Sequence, residues 1–281
     1  MKRILIGCLS LLLVLFCQGQ SLQVMSYNIR LDVASDSPNH WQARKEKLVS
    51  VIRFQEADLV GVQEALPNQV ADMKSLMPGY GFTGVGREDG KNKGEFSGIF
   101  FKTARLELME SRTFWLSLTP EVAGSKSWDA AITRIVSWAK FRDKFTRKVF
   151  YHFNTHFDHM GKEARRQSAH MLLQKVQEIA GSIPAVITGD FNADPTDEPI
   201  AVITNTADPL HLTNAETLSV SGHYGPTGTF NGFQSKEVNA SPIDYIFLKG
   251  KWKVLQHATL SQTWEGRFAS DHFAVFAKIE L

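Results

Sequence analysis

The chain is nearly without cysteine: two in 281 residues, Cys8 and Cys17. Both fall in an opening segment, Met1-Lys2-Arg3 followed by an apolar run from Ile4 to Phe16. A basic start and a short apolar core predict a secretory signal peptide over residues 1–19, cleaved after Gly19; the run is too short for a membrane span. Bulky Phe16 directly before Cys17 argues against a lipoprotein anchor there. Without the leader, the mature chain 20–281 has no thiol, which excludes disulfides, a thiolate nucleophile and a thiolate metal site. At about 260 residues, one domain can be held by its core alone.

Charge of one sign is also lacking. The whole chain carries 31 basic and 29 acidic residues, and Lys2 and Arg3 leave with the leader, so the mature counts are equal at 29. Coating a long polyanion needs clustered Lys and Arg, and no such run occurs. No second long apolar run or amphipathic apolar hairpin suggests membrane docking. No repeat, low-complexity tract or linker divides the chain, so a single-domain monomer is expected, exported to the periplasm or beyond without stable membrane insertion.

What is present centres on Pro184-Ala185-Val186-Ile187-Thr188-Gly189-Asp190-Phe191-Asn192-Ala193-Asp194-Pro195. The apolar run reads as a buried strand that stops at Gly-Asp-Phe-Asn, with Asp190 and Asn192 at its carboxyl end and sharing a face if the backbone stays extended. Strands are also expected at Leu22–Ile29, Asp58–Gln63, Tyr80–Val85, Phe96–Phe101, Leu106–Trp115, Ile132–Phe141, Lys148–Thr155, Gly228–Phe230, Ile243–Leu248, Trp252–Leu260 and His272–Ile279. Helical spacing marks Trp41–Phe54, Pro67–Met77, Lys162–Ala180 and Glu198–Thr204. Strands outnumber helices, which cluster in βα units in both halves. The fold class expected is α/β (α+β), a four-layer sandwich of two packed mixed β-sheets flanked by helices.

Polar residues recur at the strand ends: Asn28, Glu64, His156 with Asp158, Asp190 with Asn192, Asp244, and Asp271 with His272. Singly, Asn28, Glu64, Asp244 and Asp271 read equally as turn or cap residues, Asp190 and Asn192 more readily as an Asx-turn, and His156 and His272 as structural histidines. Together, Met25-Ser26-Tyr27-Asn28, Val62-Gln63-Glu64, Asn154-Thr155-His156-Phe157-Asp158-His159, Gly189-Asp190-Phe191-Asn192, Ile243-Asp244-Tyr245-Ile246 and Ser270-Asp271-His272 resemble the ordered motifs of the endonuclease/exonuclease/phosphatase superfamily. Pancreatic deoxyribonuclease and inositol-polyphosphate 5-phosphatases belong to it. Gly84-Val85-Gly86-Arg87, Phe114-Trp115-Leu116-Ser117, Trp128 with Arg134, and Ala164-Arg165 resemble an exported bacterial branch.

The resemblance implies metal-assisted phosphoester hydrolysis. Oxygen ligands without thiolate suit Mg²⁺ or Mn²⁺, with Glu64 the leading ligand and Asn28 and Asp271 in support. Water activation falls jointly to Asp190 and an Asp244–His272 pair, with Asn192 fixing the water or a phosphoryl oxygen and His156 donating to a non-bridging oxygen. Asp158 is expected to hold nearby geometry, and Arg134 and Arg87 to contact substrate or to serve as ion-pair partners. Trp115 and Trp128 read first as packing residues. The substrate stays open among nucleic acid, nucleotide, sugar phosphate and lipid headgroup. Two other readings remain: a non-catalytic binding module on the same fold, and a two-carboxylate glycosidase.

Overall fold

The computed structural model describes residues 21–234 and 241–281; the expected leader, with Cys17, lies outside the described residues. In chain order the elements are β1 (Leu22–Asn28), α1 (Trp41–Phe54), β2 (Leu59–Ala65), α2 (Pro67–Leu76), β3 (Tyr80–Thr83), β4 (Phe96–Lys102), β5 (Leu106–Trp115), β6 (Ile135–Asp143), β7 (Val149–His156), α3 (Lys162–Ala180), β8 (Ala185–Asp190), α4 (Glu198–Thr204), β9 (Thr213–Asn214), β10 (His223–Tyr224), β11 (Asp244–Lys249), β12 (Lys253–Leu260) and β13 (Ala274–Glu280). They form a seven-stranded sheet, β10-β12-β13-β1-β2-β4-β3, and a six-stranded sheet, β5-β6-β7-β8-β11-β9. Both are mixed: β1 pairs parallel with β2, and β7 with β8, amid antiparallel neighbours.

Three apolar layers join four structural ones. Trp41, Leu48, Ile52 and Met73 of α1 and α2 pack with Tyr27, Val60 and Phe100 on the outer face of the first sheet. Leu172, Leu173 and Val176 of α3 pack with Phe153, Ile187 and Phe247 outside the second. Val24, Leu59, Phe141, Phe150, Val186 and Ile246 fill the space between the sheets. This is the expected four-layer sandwich.

Strand parity positions the site. Successive side chains alternate faces, so every second residue of each central strand enters the layer between the sheets. In β1 that series runs Val24, Ser26, Asn28; in β8, Val186, Thr188, Asp190; in β7, Phe150, His152, Asn154, His156. The layer is therefore apolar at one end and polar at the other. In its middle, Asn154 Nδ2 donates to the Val62 and Gly98 carbonyls across the layer (2.8 and 2.9 Å), while its Oδ1 accepts from Gln63 Nε2 (2.7 Å) and Thr188 Oγ1 (2.9 Å). All four bonding positions of the Asn154 amide are filled, although Gln63 Oε1 beside it has no partner. Here the network fixes the sheet separation just beneath the polar end.

Three expected strands differ most, and two short strands are new. β6 starts at Ile135 rather than Ile132, because the Ile132 N–H turns away to Asp158 Oδ2 (3.2 Å). Gly228–Phe230 forms only a bridge from Phe230 to His272, since the Thr229 hydroxyl instead accepts the N–H groups of Ile243 and Asp244 (3.0 and 3.2 Å). β13 begins two residues late, because Asp271 and His272 belong to the turn that enters the polar end. The two-residue strands β9 and β10 are too short to leave a periodic signal.

Candidate active site

Asn28 ends β1, fully buried, with its carbonyl accepting from Ser270 Oγ (2.7 Å). Its Oδ1 accepts the Arg30 N–H (3.0 Å), which leaves the amide NH₂ to donate at 3.0 Å to both Glu64 Oε1 and Asp190 Oδ2. Ionised carboxylates only accept, so these partners fix the amide's orientation. Strict alternation would carry Glu64 to the helix side with Val62. A register shift between Val62 and Ala65, with Glu64 at φ 62°, swings it into the mouth instead. Arg30 (φ 55°) and Asn192 (φ 48°) also occupy the left-handed region, so three non-glycine residues at this one mouth carry backbone strain.

Register assembles the rest. Asp190 lies opposite Asp244 in the β8–β11 pair and level with His156 in the β7–β8 pair. His272 Nδ1 meets Asp244 Oδ2 at 2.9 Å, and its Nε2 lies 3.8 Å from Asp190 Oδ2. His156 Nε2 lies 3.4 Å from the same oxygen. Asn192 does not reach the site by parity with Asp190. Its turn conformation lets Nδ2 donate to the Phe157 carbonyl (3.0 Å) and meet His156 Nε2 (3.1 Å), while its own N–H donates to Asp190 Oδ1 (2.9 Å).

Burial, reinforced by the Asp244 carboxylate, pushes the Asp190 carboxyl up to about 7. For His272, burial opposes the charge, but the Asp244 carboxylate and its hydrogen bond, helped by Asp190 and Asp271, hold the imidazole well above its ordinary value. Burial together with Arg134 and Arg87 holds His156 well below its ordinary value, so it stays neutral. Because the Asn192 amide can only donate to Nε2, the His156 proton sits on Nδ1, a buried atom with no hydrogen-bond partner.

Asp271 sits beside Arg30, whose Nε is 3.7 Å from Asp271 Oδ2 and whose Nη1 is 4.0 Å from Glu64 Oε2. Burial raises the Asp271 carboxyl, and Glu64 adds to the shift. Glu64 and Asp271 thus offer two crowded carboxylates without sulfur, a donor set that fits a hard divalent cation, while the Asn28 amide turns its NH₂ rather than its oxygen to Glu64 and holds that carboxylate in place. Asp190, Asp244 and His272 also bring ligand-type atoms within 4.8 Å of one another.

The remaining expected residues stand around this centre. Buried Arg134 contacts His159 Nδ1 (3.2 Å) and lies 3.8 Å from Asp158 Oδ2, with Nε and Nη1 lacking an acceptor. Asp158 accepts the N–H groups of Ile132, Met160 and Gly161, so it holds two loops in place. Arg87 pairs with Glu95 at 2.6 Å. The buried Trp115 indole donates to the Arg87 carbonyl (2.7 Å), fastening the rim loop.

Two participants carried no periodic or motif signal. Arg30 bonds Asp36 (2.7 and 2.9 Å) between the two crowded carboxylates. Arg44 of α1, also buried, donates to the carbonyls of Ile29, Arg30, Asn39 and Ala269, tying α1 to the two loops that carry Arg30 and Ser270–His272.

A match to the Endonuclease/Exonuclease/phosphatase family spans residues 25–272, and the chain belongs to that family. Among solved structures, an endonuclease/exonuclease/phosphatase from Bacteroides vulgatus is 38% identical with a TM-score of 0.88, covering 93% of this chain and 99% of its own. A mannosyl-6-phosphatase from Bacteroides thetaiotaomicron is 37% identical with a TM-score of 0.88, covering 92% and 100%. A protein of Acanthamoeba polyphaga mimivirus is 26% identical over 55% of this chain. The chain spans about half the length of the curated relatives it matches, 60% of one and 41% of another.

Proposed function

We propose that this protein is a divalent-metal-dependent phosphoester hydrolase, exported as a single domain of residues 20–281, that cleaves a monoester on a small substrate such as a sugar phosphate. The observation that carries the hydrolase reading is the Asn28 amide, which holds Glu64 and Asp190 at 3.0 Å each. One side chain thereby spaces a cation-fitting carboxylate from a carboxylate poised to accept a proton near neutral pH.

Glu64 and Asp271 would hold Mg²⁺ or Mn²⁺, with Asn28 fixing Glu64, and the ion would supply charge compensation at the phosphoryl oxygens. Asp190, with its carboxyl at about 7, takes the proton of the attacking water, because catalytic bases work best with a pKa near the operating pH. His272, kept cationic by Asp244, donates from Nε2 to charge developing on the phosphoryl group. Asn192 orients neutral His156. Arg134, whose Nε and Nη1 lack an acceptor, adds positive charge beside His156 and complements a terminal phosphate dianion, while Arg87 is compensated by Glu95.

Three features favour a sugar phosphate over a nucleic acid. The mature charge is balanced. Trp115 is committed to the rim loop and offers no free ring to a base. The Bacteroides thetaiotaomicron neighbour is a mannosyl-6-phosphatase. The test compares phosphate release from a hexose 6-phosphate with cleavage of a dinucleotide and of single-stranded RNA in Mg²⁺, with His272→Ala as control. The monoester should turn over fastest and the variant should lose about 10²- to 10⁴-fold. Full activity in His272→Ala refutes the mechanism, and preferential RNA cleavage refutes the substrate class.

A further inference from the structure

A second group of ligand-type side chains lies outside the catalytic mouth. Glu216, His223 and His257 bring one ligand atom each within 4.8 Å of one another. His257 is opposite Ala277 in the β12–β13 pair, and Ala277 is opposite Val24, so the group lies two strands from β1 and level with a residue four short of Asn28. We propose that these three residues bind a borderline divalent cation of the zinc class and thereby clip the edge strand β10 and the short 3-10 turn Ala215–Leu218 to β12.

The register places both imidazoles. His223 and His257 are direct partners in the parallel β10–β12 pair, so their side chains leave the sheet on one face, and their Nδ1 atoms meet at 2.9 Å. The His223 tautomer is set by its other nitrogen. Nε2 lies 3.0 Å from the Pro226 carbonyl, which can only accept, so the proton sits on Nε2; the Nδ1 lone pair then accepts from His257 Nδ1–H, a proton that a bound cation displaces. A ring N–H donated to a backbone carbonyl is the arrangement that orients metal-binding histidines. Glu216 contributes its carboxylate from the 3-10 turn, whose first N–H is capped by Asn214 Oδ1 (3.0 Å).

Two imidazoles and one carboxylate suit zinc and leave a fourth position for water, whereas Mg²⁺ prefers oxygen alone. With metal–nitrogen bonds of about 2.0–2.1 Å, a tetrahedral ion sets the two nitrogens roughly 3.3 Å apart, so the rings need only part by a few tenths of an ångström. His257 is buried, and Glu216 and His223 are half-buried, which gives the ion an approach from the turn. The structural gain lies at β10, which has only two residues paired to the sheet.

The test strips the mature protein with chelator and then titrates Zn²⁺ or Co²⁺ against excess Mg²⁺, comparing wild type with Glu216→Gln, His223→Gln and, at the catalytic mouth, Glu64→Gln. Metal content, the visible spectrum of tetrahedral Co²⁺ and the melting temperature are read. Wild type and Glu64→Gln should each keep one equivalent at this site and melt higher when loaded. Glu216→Gln and His223→Gln should bind about 10²-fold more weakly and lose that increment. Glu216→Gln, in a half-buried turn, keeps the test valid if His223→Gln does not fold. Equal binding in all four proteins, loss only in Glu64→Gln, or no zinc in wild type overturns the proposal.

Discussion

Replacing Asp244 with Asn keeps the shape of the site and removes one charge. Asp244 is buried, and its Oδ2 accepts from His272 Nδ1 at 2.9 Å. Its carboxylate acts on two groups at once: as an opposite charge it raises His272, and as a like charge it raises Asp190. Asp244→Asn should therefore lower both. With Asp190 required ionised and His272 required cationic, the acid limb of kcat/KM lies near the Asp190 value of about 7, and both limbs of the bell should move toward lower pH. Removing one partner of a buried ion pair costs about 3–5 kcal/mol, equivalent to about 10²-fold or more in the ratio of charged to neutral imidazole at fixed pH. On the alkaline side of the shifted bell, at saturating Mg²⁺, the rate on a hexose 6-phosphate should fall by about that factor, with a thermal melt verifying the fold. A rate within about threefold of wild type, or a bell that stays in place, would refute the assigned roles.

Gly61→Ala should be strongly destabilising, because a Cβ there would stand 2.0 Å from Thr188 Oγ1 and 2.5 Å from Asn154 Oδ1, inside the network that spaces the sheets. Overpacking costs of about 1–3 kcal/mol, at roughly 2–4 °C per kcal/mol, should appear in a calorimetric melt. Arg44→Met should leave the Ile29, Arg30 and Ala269 carbonyls without their donor. At about 1 kcal/mol or more for each orphaned acceptor, urea denaturation should show a loss of about 3 kcal/mol or more, with a higher KM for Mg²⁺ as the loops of Arg30 and Asp271 loosen. His152, whose Nε2 meets Thr188 Oγ1 at 2.8 Å, is depressed by burial to about 3. A group depressed on folding and protonated near 6.5 when unfolded gives stability that is complete above 6.5 and lost as pH falls. The loss is about 1.4 kcal/mol per pH unit, or about 2 kcal/mol by pH 5. Between pH 7 and pH 5, urea denaturation should show a loss larger by about 2 kcal/mol in wild type than in His152→Gln, since the depressed His156 and His257 contribute to both.

Much of the fold and part of the site could be read from residues alone, and the division has a physical basis. The run Ala185–Asp190 is buried on both faces, and its length and closing Gly-Asp identify a strand without any knowledge of its neighbours. Amphipathic spacing likewise marks α3, because one face must enter the core. Glu64 could be found as a motif residue, but its direction could not, since it depends on a bulge imposed by pairing with β4. Arg30 and Arg44 act through backbone carbonyls and carboxylates distant in sequence, including Ala269 and Asp271, and spacing does not encode such partners. His223 and His257 are 34 residues apart and meet only through the register of a two-residue edge strand.

The site's location follows from the charge that the inter-sheet layer must accommodate. Glu64, Asp190, Asp244 and Asp271 converge where parity replaces Val24 and Val186 with Asn28 and Asp190. An apolar filling at that end would close the sandwich, and isolated carboxylates would be costly to bury. The chain meets the cost with donors already held in place: the Asn28 amide between two carboxylates, His272 against Asp244, and Arg30 beside Glu64 and Asp271. Four acidic groups outnumber the two cations, His272 and Arg30, that lie directly against them. The mouth keeps a net demand for positive charge, which the proposed divalent ion at Glu64 and Asp271 would meet while leaving Asp190 to take a proton.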